Sequence, residues 1–134
     1  MKPICVRLKR GSDLYESLMN LSSEYHLKAG AVLSLVGCVS EVSIRLAGGK
    51  EFLYNKDHYE IVSATGTVSE NRIHVHASFS DVPGNVIGGH LKKGCIVDTT
   101  CEVVILPLEG YTFKKQYDET TGYNEILMER AVEE

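Results

Sequence analysis

Hydrophobic residues along this chain follow two periods. Leu14, Leu18, Leu21 and Tyr25 recur at helical spacing and form one apolar stripe. Ser12-Asp13 precedes the stripe with a side-chain cap and an acid suited to the first turn. His26 and Lys28 suit the negative end, and Gly30 is a natural stop. The spacing therefore predicts one long N-terminal helix closing near Gly30.

Elsewhere the period is two, the signature of half-buried strands. Ile4 to Leu8 alternates. Ala31 to Val36 is an apolar run, and Gly37-Cys38 can bend or bulge before Val39 to Leu46. In that second run Val42, Ile44 and Leu46 face one way, with Glu41, Ser43 and Arg45 on the other side. Gly48-Gly49 makes a turn. Tyr59 to Val68 reads as a strand with a glycine break at Gly66, and Ser69-Glu70-Asn71 turns it into Arg72 to Phe79 as a hairpin. Asp81 to Leu91 reads as a turn-rich loop containing Pro83-Gly84. Cys95 to Leu106, ended by Pro107, and Tyr111 to Tyr117 are further strands, and Asp118 to Gly122 is a turn. Tyr123 to Glu134 fits either a short strand or a terminal helix. One helix among six or more strands joined by short turns predicts an α+β fold, a single mostly antiparallel sheet with the helix packed on it.

Composition narrows the class. The 134 residues make one domain, residues 1–134, large enough to bury a core without disulfides. Aromatics are few and tryptophan is absent, so valine and isoleucine must carry the packing, which favours sheet. The formal charge of −4 argues against a general phosphate-binding surface. Two short basic stretches remain: Lys92-Lys93, and Lys114-Lys115 flanked by Tyr111, Phe113 and Tyr117. The second interleaves bases and aromatics as a single-strand binder does, but a solvated edge strand guarded by lysine is the reading we favour. Cys5, Cys38, Cys95 and Cys101 form no C-x-x-C pair, and Cys95 and Cys101 lie roughly 20 Å apart along one extended strand, too far to bridge. Buried thiols in a reducing cytosol follow. The N-terminus lacks the apolar core of a signal peptide, and no segment has transmembrane length, so the expected location is cytoplasmic.

The chemistry concentrates in His74-Val75-His76 and Gly88-Gly89-His90, which hold three of the five histidines. His74 and His76 are two apart on a strand, so their imidazoles leave the same face. Gly88-Gly89 can fold the chain back to deliver His90, and a side chain at Gly88 would be costly if that position needs a positive φ. Two same-face imidazoles and a third brought in by a loop suit a divalent metal, zinc above all, with one position left open. The alternative is a set of histidines hydrogen-bonded within a subunit interface. The turn at Gly88 and Gly89 is also a candidate small-anion site through free backbone N–H groups. A hydrolase would need a nearby base, for which Asp81 and Glu102 are the available carboxylates. His26 and His58 stand outside this grouping as surface residues.

Three segments together resemble the plants and prokaryotes conserved domain, the PPC or PCC domain. They are Gly30-Ala31-Val32-Leu33-Ser34-Leu35-Val36-Gly37-Cys38-Val39-Ser40, Tyr59 to Ser69, and the histidine segment continued through Gly88-Gly89-His90-Leu91 and Gly94-Cys95-Ile96-Val97 to Ile105. The resemblance implies a homotrimer, a metal at histidines of this segment as in some archaeal members, and, as an alternative, a DNA-associated regulatory role. No Arg-Gly-Arg-Pro hook of the kind that enters the DNA minor groove in plant relatives is present. The partner-binding hexapeptide of those relatives corresponds to Asp57-His58-Tyr59-Glu60-Ile61-Val62, without its glycine and arginine. The expected function is metal or small-ligand binding through His74, His76 and His90. A DNA-associated protein using Lys92, Lys93, Lys114, Lys115 and Arg72, and a metal-dependent hydrolase, are the alternatives.

Overall fold

The structure, a computed structural model, describes residues 2–131. In chain order the elements are β1 (Ile4–Lys9), α1 (Leu14–Glu24), β2 (Gly30–Arg45), β3 (Phe52–Ser69), β4 (Arg72–Ser80), β5 (Val86–Leu91), β6 (Ile96–Pro107), β7 (Tyr111–Asp118) and β8 (Tyr123–Arg130). Six strands form one antiparallel sheet in the order β1-β6-β2-β3-β4-β5, and β7 pairs with β8 as a separate hairpin. The α+β, mostly antiparallel reading thus holds, except that the sheet is not single, because β7 and β8 pair only with each other. β5 also pairs with the far end of β2, so β2 through β5 curl into a closed circuit.

The helix is short, at 11 residues, rather than long. Asp13 caps it by accepting from the Glu16 N–H at 3.0 Å, and its other carboxylate oxygen accepts from the Gly94 N–H at 2.7 Å. One side chain thereby starts the helix and ties it to the entry of β6. The stop comes before Gly30: His26 adopts a left-handed φ of 48°, and the Tyr25 N–H folds back to Leu21 O. Gly30 is already strand. Leu14, Leu18 and Leu21 are buried, as the stripe predicts, whereas Tyr25 is exposed. Burying each such leucine contributes about 1.5–3 kcal/mol.

The core joins α1 to one face of the sheet. Val42 and Ile44 of β2, Ile73, Val75, Ala77 and Phe79 of β4, and Leu91 of β5 all point into it. Cys95 and Cys101 are buried there, and burial pushes their thiols up to about 11 and about 12, so neither is a ready nucleophile.

Three local expectations are corrected. The two runs around Gly37-Cys38 are one strand, β2, although the expected bulge is present as a register shift between Gly37 and Cys38. Gly66 does not break β3. A Cβ there would lie 2.2 Å from His74 O and 2.8 Å from the Val75 Cα, so glycine serves close backbone approach to β4. The segment 81–91 is not all loop, because Val86–Leu91 pairs with β4 as β5. Of the tail, 123–130 is strand, and residues 132–134 lie outside the described residues.

These glycine contacts lead to a stability prediction. Gly66→Ala is expected to cost more than about 2 kcal/mol, the size of an overpacking defect, in urea denaturation. Gly84 has φ 94° and nothing within 4 Å of the place a Cβ would take, so its change to Ala should cost only about 1 kcal/mol.

Candidate metal centre

Strand pairing assembles the site. His74 and His76 leave β4 on the face opposite Ile73, Val75 and Ala77. His90 of β5 is paired directly with His76, and Arg45 of β2 directly with His90. Cross-strand partners project to the same side, so three adjacent strands place one side chain each in a row. The ring centroids lie 5.1 Å apart for His74–His76, 5.1 Å for His74–His90 and 5.5 Å for His76–His90. One nitrogen from each lies within 4.8 Å of the others. Tetrahedral ligation at about 2.0–2.1 Å needs nitrogens about 3.4 Å apart, a difference that small side-chain rotations cover.

Gly88 and Gly89 reach this arrangement differently from the expectation. Neither has positive φ, and both sit in the β4–β5 ladder. A Cβ at Gly88 would meet Ala77 O at 2.9 Å, and one at Gly89 would meet Arg45 O at 2.5 Å. They are glycines because β5 is squeezed between two neighbouring backbones. There is no turn here for an anion to bind, so His90 arrives by pairing rather than by a fold-back.

The rings make no hydrogen bonds to one another among the described residues. The buried Nδ1 of His90 has no hydrogen-bond partner among the described residues. A buried ring nitrogen without a partner is costly, and a metal ion would satisfy it. Arg72 donates to His74 Nδ1 at 3.2 Å. A guanidinium can only donate, so in this arrangement the His74 proton sits on Nε2, and a metal held here would compete with Arg72 for this imidazole. The donor set, three imidazoles with one orphaned nitrogen, fits a divalent ion of intermediate softness.

The electrostatics keep two of the rings neutral. Burial, then the charges of Arg45, His74, His76 and Lys92, lowers His90 to about 4. His74 is also lowered, by burial first and then by Arg72 and His76, with Glu125 opposing. Neutral imidazole is the form that binds metal.

The histidines open into a cavity of about 470 Å³. Its walls come from α1, the end of β2, β4 and the β7–β8 hairpin, which contributes Lys115, Tyr123 and Glu125. The hairpin is anchored by buried Phe113, whose N–H donates to Lys28 O at 2.9 Å, and by the Arg45 guanidinium 5.8 Å from the Tyr123 ring centroid. Sequence reasoning misses Glu125, Arg45 and Tyr123 as site residues, because nothing in their spacing links positions so distant along the chain. Of the two carboxylates that could serve as a base, Asp81 binds its own loop through the Asn85 N–H and borders a different cavity beside His58, and Glu102 is exposed on β6. Neither shares the histidine cavity. His26 and His58 are exposed surface residues, as expected.

Comparison with known proteins places the chain. Residues 1–109 match the Plants and Prokaryotes Conserved (PCC) domain, and the chain belongs to that family. It is 36% identical over 128 residues, 96% of its length, to the bifunctional protein GlmU of Synechococcus sp. (strain JA-3-3Ab), of which that match covers 21%. The chain thus spans about a fifth of the length of the curated relatives it matches. Among solved structures, a hypothetical protein from Salmonella enterica superposes with a TM-score of 0.93 at 29% identity, covering 98% of this chain and 95% of that one. A metal-containing protein from Archaeoglobus fulgidus superposes with a TM-score of 0.77, also at 29% identity, covering 95% and 94%.

The depressed His90 value sets a pH dependence for the metal-free protein. Its folded value lies below the ordinary 6.5, so the unfolded chain binds the extra proton. Stability should be full above about pH 6.5 and should fall as pH drops toward about 4. Urea midpoints measured in chelator across this range should show a smaller acid loss for His90→Asn than for the wild-type chain.

Proposed function

We propose that this PCC-domain protein binds a divalent metal of the zinc class through His74, His76 and His90, and holds a small ligand in the cavity above it. The observation that carries the reading is the convergence of three imidazoles from two paired strands, with a buried His90 nitrogen left unpartnered. The metal-containing relative from Archaeoglobus fulgidus supports it. Such an ion would supply Lewis acidity and an open coordination position. The protein's own part is to hold the His74 and His90 imidazoles neutral and to shape the cavity.

In this proposal the protein is a homotrimer, supported by apolar residues left exposed on β2 and β3, namely Leu33 at 62%, Val36 at 51% and Val62 at 52%. Its location is the cytoplasm, supported by four unpaired cysteines. Among the described residues, no helix is long and apolar enough to cross a membrane. A DNA-binding role has weaker support. Lys93 lies 3.8 Å from Glu16 and Lys114 lies 2.9 Å from Glu129, so part of the basic set is already neutralised.

Elemental analysis of untagged protein by mass spectrometry tests the metal. Near one equivalent per chain is expected, falling at least tenfold in His74→Ala/His76→Ala with an unchanged circular dichroism spectrum. A wild-type protein that stays metal-free after incubation with zinc and dialysis overturns the reading. Light scattering tests the assembly separately. A mass of about 44 kDa, three times the 14.8 kDa chain, is expected, and a stable 14.8 kDa species refutes the trimer.

A further inference from the structure

The cavity over the histidines has a charge imbalance that a metal ion alone does not explain. Arg45, Arg72 and Lys115 all line it, against a single carboxylate, Glu125. Among the described residues none of these three cations makes an ion pair. The Arg72 guanidinium hydrogen-bonds His74, and Arg45 faces the Tyr123 ring. Cations without an ion pair occur elsewhere too, at Lys9, Lys50 and Lys56 among the described residues, so what sets these three apart is that they converge on one cavity.

The positions of the three cations are set by separate elements. Arg45 is placed by pairing with His90, Arg72 by standing two residues before His74 on the same face of β4, and Lys115 by the β7–β8 hairpin. Convergence of three unpaired cations from three parts of the chain brings positive charge together at a cost in repulsion. A divalent ion on neutral imidazoles would increase that charge. What offsets it is a negative ligand, and guanidinium forks match carboxylate and phosphate oxygens two at a time.

We infer that the cavity binds a small organic oxyanion, a carboxylate or phosphate monoester, held by Arg45, Arg72 and Lys115 beside the three histidines. This rests on the metal-and-ligand reading above and names the ligand class of that site. About 470 Å³ is within the range of small-metabolite pockets. The hairpin that supplies Lys115 and Tyr123 begins at Tyr111, beyond the family match at 1–109. The family region therefore provides the histidines and both arginines, and the hairpin provides the part of the wall that selects the ligand.

The test is calorimetric titration of glycerol 3-phosphate, of succinate, and of glycerol as the uncharged control, with metal content measured on the same samples. Wild type, Arg45→Gln and Lys115→Gln are compared. Lys115 is exposed on the hairpin, so its variant should fold normally, which circular dichroism checks. The expected result is binding of at least one oxyanion and not of glycerol, weakened about tenfold or more in each variant, as for loss of one charge-assisted hydrogen bond. Which of the two anions binds separates the phosphate from the carboxylate source. A metal-bearing protein that binds neither anion, or binds them equally well in all three forms, overturns this inference and leaves the metal reading standing. A metal-free protein with arginine-dependent and lysine-dependent anion binding overturns the metal reading and supports the oxyanion site. Absence of both metal and anion binding overturns the two together.

Discussion

Two neighbouring backbones press on β5, and both the core and the site follow from that contact. β5 pairs with β4 along its length and touches the end of β2 at His90 and Leu91. A strand held this closely on both sides has no room for side chains where the backbones meet, which is why positions 88 and 89 are glycine. Closing the sheet at this point buries Leu91 against Phe79 and Ile44 in one core. The same closure sets His76, His90 and Arg45 in one cross-strand row. Core and site are therefore two faces of a single pairing. A slip of one residue would send the histidines inward and the apolar set out to water.

The site is built on rigid elements, and that shapes its chemistry. Two imidazoles are held below their ordinary values by partial burial and nearby cations, so they are neutral at physiological pH without a metal. Among the described residues the arrangement leaves a buried nitrogen unsatisfied and cations unpaired, and both are local costs to stability. Binding sites commonly retain such costs because an incoming ligand removes them. The Arg72 hydrogen bond to His74 has the same origin, since it satisfies a ring that a metal would otherwise take.

Much of the scaffold is legible along the chain because it is encoded over short distances. The helix start is visible in Asp13 followed by a leucine stripe, and Asp13 does cap α1. The hairpin of Tyr59–Val68 with Arg72–Phe79 appears with its turn, because both strands alternate and polar residues separate them. The helix end is not legible in the same way, because His26, not a glycine, takes the left-handed conformation that stops it. β5 reads as loop because Gly88-Gly89 is equally the signature of a turn. Only the nearness of the Ala77 and Arg45 carbonyls distinguishes the two.

Fold class, family segments and the shared face of His74 and His76 can all be read from the chain alone, since periodicity and strand alternation are local properties. Other features exist only once the chain has folded: His90 reaches the pair through a strand, and Arg45 stands beside it. Lys115, Tyr123 and Glu125 likewise close the cavity from a distant hairpin. Those positions meet because strands far apart in sequence pair at one register. Register is a property of whole strands packing together, and no spacing along the chain records it.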